Sequence, residues 1–234
     1  RAITAKALGE LGDKRVIIDL RELFKKEFSP EVKSKAMLSL AKLGDREMIN
    51  EFFNALSDTS KEVSTAARES LDILIDSTQS GILVGNLQSD SGATRDYCIY
   101  ALDRLKPKET IKDLFSLVKT VRGKLRMQLM KLIDTMSDDS NIDDFYMLVD
   151  NPSVNEDIEL QLWVLKNLSK FKNIGSIKYL SETIKHENTD IRIATIEALS
   201  KISSPEAKRI VSYVADNDLS MKVRNTAKEI LSRR

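Results

Sequence analysis

This chain is poor in the residues that do covalent chemistry. Among 234 residues there is one cysteine, Cys98, and one histidine, His186. A lone cysteine excludes an internal disulfide framework and leaves the compartment undecided. A lone histidine removes most metal clusters and nucleophile–histidine pairs. With 8 glycines and 4 prolines there are too few turn formers for a sheet-rich fold, so long helices are favoured. No apolar run approaches the ~18 residues that suggest a membrane-spanning helix. Neither sign of charge is in excess, with 37 basic residues against 36 acidic ones, so no global field draws the chain to nucleic acid or anionic lipid. A glycine loop able to cradle phosphate is also missing. The length suits one large domain or two small ones.

What is present is a repeat. An anchor residue opens one helical pattern at Val32, Val63, Thr94, Leu125, Leu160, Ile191 and Val223, at successive intervals of 31, 31, 31, 35, 31 and 32. Four residues after each anchor stands a mostly small residue: Ala36, Ala67, Cys98, Leu129, Val164, Thr195 and Ala227. Eight after comes Leu40, Leu71, Leu102, Ile133, Leu168, Leu199 and Leu231, and eleven after comes Leu43, Leu74, Leu105, Met136, Phe171 and Ile202. These offsets trace one face of a helix. Three residues before the anchors stand Ser29, Ser60, Ser91, Arg122, Asp157, Asn188 and Ser220, and all but the arginine are good N-caps. A second helical segment precedes each anchor helix, over about 14–27, 46–56, 77–87, 108–119, 141–150, 174–185 and 205–216. Gly81 and Gly85 weaken the third of these.

A helix pair of this length cannot bury its apolar face alone, so neighbours must stack. The opening RAITAKALGELGD aligns with the anchor helices, Leu8, Leu11 and Gly12 matching Leu40, Leu43 and Gly44. The expected fold is therefore all-α: a right-handed solenoid of about seven helix pairs plus an N-terminal unpaired helix, one array over residues 1–234. Because the chain opens on Arg1 inside a helical pattern, it reads as a piece of a longer protein, with any targeting signal outside it. In the 35-residue unit the extra residues fall in DNPSVNED, Asp150 to Asp157, where Pro152 stops a helix and a longer loop is expected.

Asp190-Ile191-Arg192, Lys222-Val223-Arg224 and Glu31-Val32-Lys33, each followed by the small residue and the apolar columns, resemble HEAT-like repeats, especially the short bacterial form. The resemblance spans essentially the whole chain. It implies that a carboxylate six residues before the basic one pairs with the next repeat, a place held by Glu27, Asp58 and Asp218. The basic column itself (Arg1, Lys33, Arg95, Arg126, Arg192, Arg224) is expected to make stacking hydrogen bonds. The family also places the second helix of each pair on the concave side. Such solenoids host many roles, so function must come from a site.

With the core at the offsets above, offsets of 2, 6, 9 and 13 from each anchor face the other way. Eleven acidic residues fall there: Asp13, Asp45, Glu69, Asp72, Asp76, Asp96, Asp103, Asp134, Asp138, Glu197 and Glu229. Only Lys6, Lys131 and Lys166 oppose them, and Leu38, Tyr100, Met127, Leu162 and Ile193 add an apolar strip. Acids at offset 13 could instead serve turns. The pattern points to a protein-binding scaffold or adaptor whose acidic face takes a basic or amphipathic partner segment. The residues singled out for contact are Asp72, Asp96, Tyr100, Asp103, Met127, Asp134, Leu162 and Ile193. The alternatives are a nucleic-acid-binding or DNA-repair module using a basic convex side, and a purely structural segment.

An enzyme is not expected, nor a cofactor or metal. His186-Glu187 resembles the His-Glu pairs of HEAT-like di-iron hydroxylases, but those sites need several histidines. Cys98 lies in a core column. HEAT-like DNA glycosylases need a basic channel, and the face here has the opposite sign. No feature supports bilin-lyase chemistry. His186 is expected at a helix end on the surface, and Trp163 packed at a core edge.

Overall fold

The computed structural model describes residues 1–149 and 157–233. Among these there are fifteen α-helices and no strand, and no helix is long and apolar enough to cross a membrane. The helices divide into two compact units, Arg1–Thr110 and Ile111–Arg234. The first holds α1 (Ala2–Leu11), α2 (Ile17–Lys26), α3 (Pro30–Lys42), α4 (Ile49–Ala55), α5 (Lys61–Leu74), α6 (Ser80–Asn86) and α7 (Gly92–Leu105). The second holds α8 (Ile111–Thr120), α9 (Gly123–Met136), α10 (Ile142–Val149), α11 (Ile158–Phe171), α12 (Ser176–Thr183), α13 (Thr189–Lys201), α14 (Pro205–Asn217) and α15 (Met221–Ser232).

Each unit is a stack of helix pairs. In the first, α2 packs on α3, α4 on α5 and α6 on α7, while α1, α3 and α5 stack on one another. In the second, the pairs are α8–α9, α10–α11, α12–α13 and α14–α15. Their layers join through α8–α10, α11–α13, α12–α14 and α13–α15. The sequence columns form the cores of these stacks. Every column residue is buried except Leu105, Leu125, Phe171 and Leu231, which are half-buried. Each buried leucine of a column contributes roughly 1.5–3 kcal/mol through apolar area removed from water.

The helix starts follow their signals in four places. Ser60, Ser91, Asp157 and Asn188 each accept a hydrogen bond from the first turn of the helix they open. Ser29 and Ser220 do not. Instead, Glu27 and Asp218 accept from their backbone N–H groups at 3.0 and 2.8 Å. Five first helices begin with a 3-10 turn, at Lys14–Val16, Arg46–Met48, Ser77–Gln79, Lys108–Thr110 and Asp139–Asn141. Despite its two glycines, the third copy forms α6. Of the extended loop expected from Asp150 to Asp157, residues 150–156 lie outside the described residues.

The basic column ties the layers together. Arg1 meets Glu27 at 3.0 Å, Lys33 meets Asp58 at 3.6 Å, Arg126 meets Asp157 at 2.6 Å, and Arg192 holds Asp218 through two bonds of 2.9 and 3.0 Å. The pairing runs backwards from the direction the resemblance implied: each carboxylate meets the base of the preceding repeat. The same side chains bind their own turn, Arg192 Nη1 donating to the His186 and Glu187 carbonyls at 2.8 Å each. Burial would raise the Asp218 carboxyl, but the Arg192 guanidinium and the Ser220 N–H outweigh it and hold it below its ordinary value.

Candidate functional site

In the first unit the outward face of α5 and α7 carries a cluster of aromatic rings and opposed charges. Tyr97 is buried and its hydroxyl donates to Asp72 at 3.2 Å. Arg104 Nη1 reaches the same carboxylate at 3.1 Å and Nη2 lies 3.5 Å from the Ile75 carbonyl. Burial, then the charge of Asp72, drives the Tyr97 hydroxyl well above its ordinary value, so it stays a donor. Tyr100, 39% exposed, lies between two guanidinium groups, with Arg68 4.3 Å and Arg104 5.6 Å from its ring centroid. Asp96 and Asp103 are exposed on α7, and each has an interaction partner. Asp72 and Tyr100 are thus brought together through Arg104.

In the second unit Asp134 is the hub. Its Oδ1 accepts from Trp163 Nε1 and from Asn167 Nδ2, both at 2.8 Å, with Lys170 at 3.7 Å and Lys166 at 3.9 Å. Trp163 is buried as expected, packed against Phe145 at 5.3 Å between ring centroids. Met127 is 58% exposed on α9, whereas Leu162 on α11 and Ile193 on α13, at the same offset, are half-buried.

The carboxylates of this face are largely spent inside the fold. At offset 13, Asp13, Asp76 and Asp138 cap 3-10 turns, and Asp45 is buried under Arg21, with one bond of 2.6 Å. Arg68, Arg104 and Lys170, outside the four offsets counted, reach onto the face because their side chains are long. Arg15, Arg46 and Arg233 likewise pair with Asp13, Asp76 and Glu229, so few of the counted carboxylates stand without a cation. The carboxylates of Glu69 and Glu197 are exposed and have no partner among the described residues. Beside Glu69, a shallow groove of about 380 Å³ runs between α3 and α5, with Lys35, Leu38 and Ala66 among its lining.

A larger groove, of about 870 Å³, lies off this face in the second unit. It is lined by Ile184, His186, Arg192, Arg209, Ile210, Tyr213 and Leu219 among others. Sequence reasoning missed it. The available signal was Leu219, an apolar residue in an interhelical turn, where it is 98% exposed. His186 sits in the turn after α12, half-buried, its Nδ1 accepting from the Asn188 N–H at 2.9 Å. The neutral ring therefore carries its proton on Nε2. Cys98 is fully buried, and burial pushes its thiol up to about 12. Among the described residues no group of three or more His, Cys, Asp or Glu side chains is placed to hold a metal.

Two family models match the chain, HEAT repeats over residues 148–232 and the PBS lyase HEAT-like repeat over residues 1–26. No curated protein matches it. Among solved structures, human deoxyhypusine hydroxylase is similar at 17% identity, covering 99% of this chain and 96% of its own, with a TM-score of 0.43. The CpcE–CpcF complex of phycocyanin lyase from Nostoc sp. PCC7120 is similar at 14% identity, over 98% of this chain and 88% of that one, with a TM-score of 0.37. An archaeal HEAT-like repeats protein from Thermococcus onnurineus NA1 is 18% identical over 99% of this chain and 91% of its own, with a TM-score of 0.34. Two of these structures are of enzymes, a hydroxylase and a lyase, so the expectation that this chain is not an enzyme is withdrawn. That expectation rested on one histidine and one core cysteine, which exclude particular chemistries and not catalysis on such a fold. The matched segments carry HEAT-like repeats, and the repeat columns and paired-helix layers continue the same pattern through the described residues between them.

Proposed function

We propose that this chain acts as a protein-binding scaffold or adaptor whose second-helix surface takes a basic or amphipathic segment of a partner protein. The observation that carries the reading is the exposure of Tyr100, 39%, on α7 of the first unit, with Met127, 58% exposed, standing separately on α9 of the second. A helix face that only meets water does not need an exposed tyrosine and methionine, whereas a docking surface uses such anchors inside a polar rim. The groove beside Leu38 and Glu69 offers a place for an apolar side chain flanked by charge. The reading takes residues 1–234 as one array, because the anchor columns recur from Val32 to Val223 with a single longer unit.

The test is a fluorescence-anisotropy titration with a labelled amphipathic peptide bearing leucine on one face and arginine on the other. Wild-type protein binds it, and Tyr100→Ala weakens binding by about fivefold, the loss of one contact near 1 kcal/mol. Equal affinity in wild type and variant overturns the reading. A labelled DNA duplex at low salt serves as the second arm. Binding there that falls steeply with salt would favour a nucleic-acid module instead.

A further inference from the structure

The groove between α12 and α14 lies wholly within the second unit, and its two ends carry opposite charge. Arg209 stands near the start of α14, exposed, with no carboxylate among the described residues. Its Nε makes one long contact, to the Pro205 carbonyl at 3.5 Å, which turns the side chain toward the first turn of the helix. Glu187 marks the other end. Arg192 donates to the Glu187 carbonyl at 2.8 Å and to Asp218 at 2.9 Å, so Glu187 sits beside the last residues of α14. From Arg209 to Asp218 the helix rises about 13 Å. The Glu187 carboxylate is exposed and has no cation among the described residues. The remaining lysine, arginine and aspartate of the lining are already matched, Lys185 with Glu182 at 3.1 Å and Arg192 with Asp218. One free base and one free acid are left, at opposite ends of a largely apolar channel.

The channel also adjoins side chains able to fill it. Leu219 is 98% exposed and Tyr213 69%, at its edge, while Ile184 and Ile210 are half-buried in its wall. A foreign segment would use the recess and leave Leu219 in water. A surface with a projection beside a recess, and with a base and an acid at opposite ends, is complementary to itself after a two-fold rotation. We propose that two copies of this chain pair through the groove in antiparallel fashion. Leu219 of each copy seats against Ile210 of the other, and Arg209 of each meets Glu187 of the other. Each charge thus finds its opposite twice, and the two most exposed apolar side chains of the groove leave water. The surface belongs to first helices, so it stands apart from the second-helix surface of the scaffold reading.

Sedimentation equilibrium from about 1 to 200 μM tests this. The wild type is expected to move from the 26.4 kDa of one chain toward twice that mass. Leu219→Asp raises the dissociation constant by about tenfold or more, since a charge then enters an apolar recess at two places. Arg209→Glu and Glu187→Arg each weaken pairing by about tenfold or more, because each creates two like-charge contacts. Both substitutions in one chain restore it. So does an equimolar mixture of the two single variants, where every contact again joins a base to an acid. A wild type that keeps the mass of one chain throughout overturns the proposal. A dimer indifferent to Leu219→Asp, or a doubly substituted chain no better than the single ones, places the contact elsewhere and overturns it too. Each of these failures leaves the scaffold reading standing, because the basic peptide reports on that separately. Unaltered helical content by circular dichroism shows that the variants are folded.

Discussion

Replacing Asp157 by alanine is expected to destabilise the second unit by about 3–5 kcal/mol, the cost of stranding a buried charge. Arg126 is only 1% exposed, and its Nη1 is held by Asp157 at 2.6 Å. Its remaining contacts are weaker or neutral, with Glu159 at 3.7 Å and the Val121 carbonyl at 2.8 Å. The same aspartate caps α11 through the Leu160 N–H at 3.1 Å, so a helix start is lost as well. Asp157→Asn should cost less, because the amide oxygen keeps the cap. Adding Arg126→Met to Asp157→Ala should recover most of the loss, since an apolar side chain in that place carries no unpaired charge. Urea unfolding followed by circular dichroism reads all three. A loss under about 0.5 kcal/mol for Asp157→Ala would place it among ordinary surface substitutions and show that this pair does not hold the layers together.

The second large effect concerns two glycines that look alike in sequence. Gly9 is buried in α1 where that helix crosses α3, and a Cβ built on it would lie 2.7 Å from the Ser39 Cα. Ser39 Oγ donates to the Ala5 carbonyl at 2.8 Å, which fixes the close approach. Gly9→Ala must force the two backbones apart, at a cost of about 1–3 kcal/mol despite the better helix propensity of alanine. Gly85 lies in α6 with open space where its Cβ would be. Gly85→Ala should stabilise by up to about 1 kcal/mol, since only the propensity difference acts there. Opposite signs in thermal unfolding are the expected result, and two shifts of the same sign would contradict the described packing of α1 on α3.

Much of this fold was legible because its signal is periodic. Val63, Ala67, Leu71 and Leu74 are buried in α5 at the spacing that marks one helical face, and the same offsets serve both units. Ser60, Ser91, Asp157 and Asn188 cap where a short side chain with an oxygen stands at a fixed offset. The candidate face was legible only in part. A helical wheel places Cβ atoms, whereas charge pairing depends on where long side chains end. Arg68 and Arg104 start at offsets outside those counted, yet both guanidiniums sit over Tyr100. Asp45 was counted as facing outward and is 4% exposed beneath Arg21. What Gly9 does was not legible either, because a close crossing depends on the partner helix. The groove at Tyr213 and Leu219 arises from neighbouring first helices, which no single repeat encodes.

The claim at the centre of this account is that partners dock on the second helices. Photo-crosslinking decides it directly, using the amphipathic arginine peptide with a diazirine in place of one leucine and mapping adducts by mass spectrometry. Adducts on α3, α5 and α7 of the first unit or α9, α11 and α13 of the second are predicted, with Leu38, Tyr100 and Met127 the preferred sites. Adducts confined to the first helices, such as α12 and α14 around Tyr213, would contradict it.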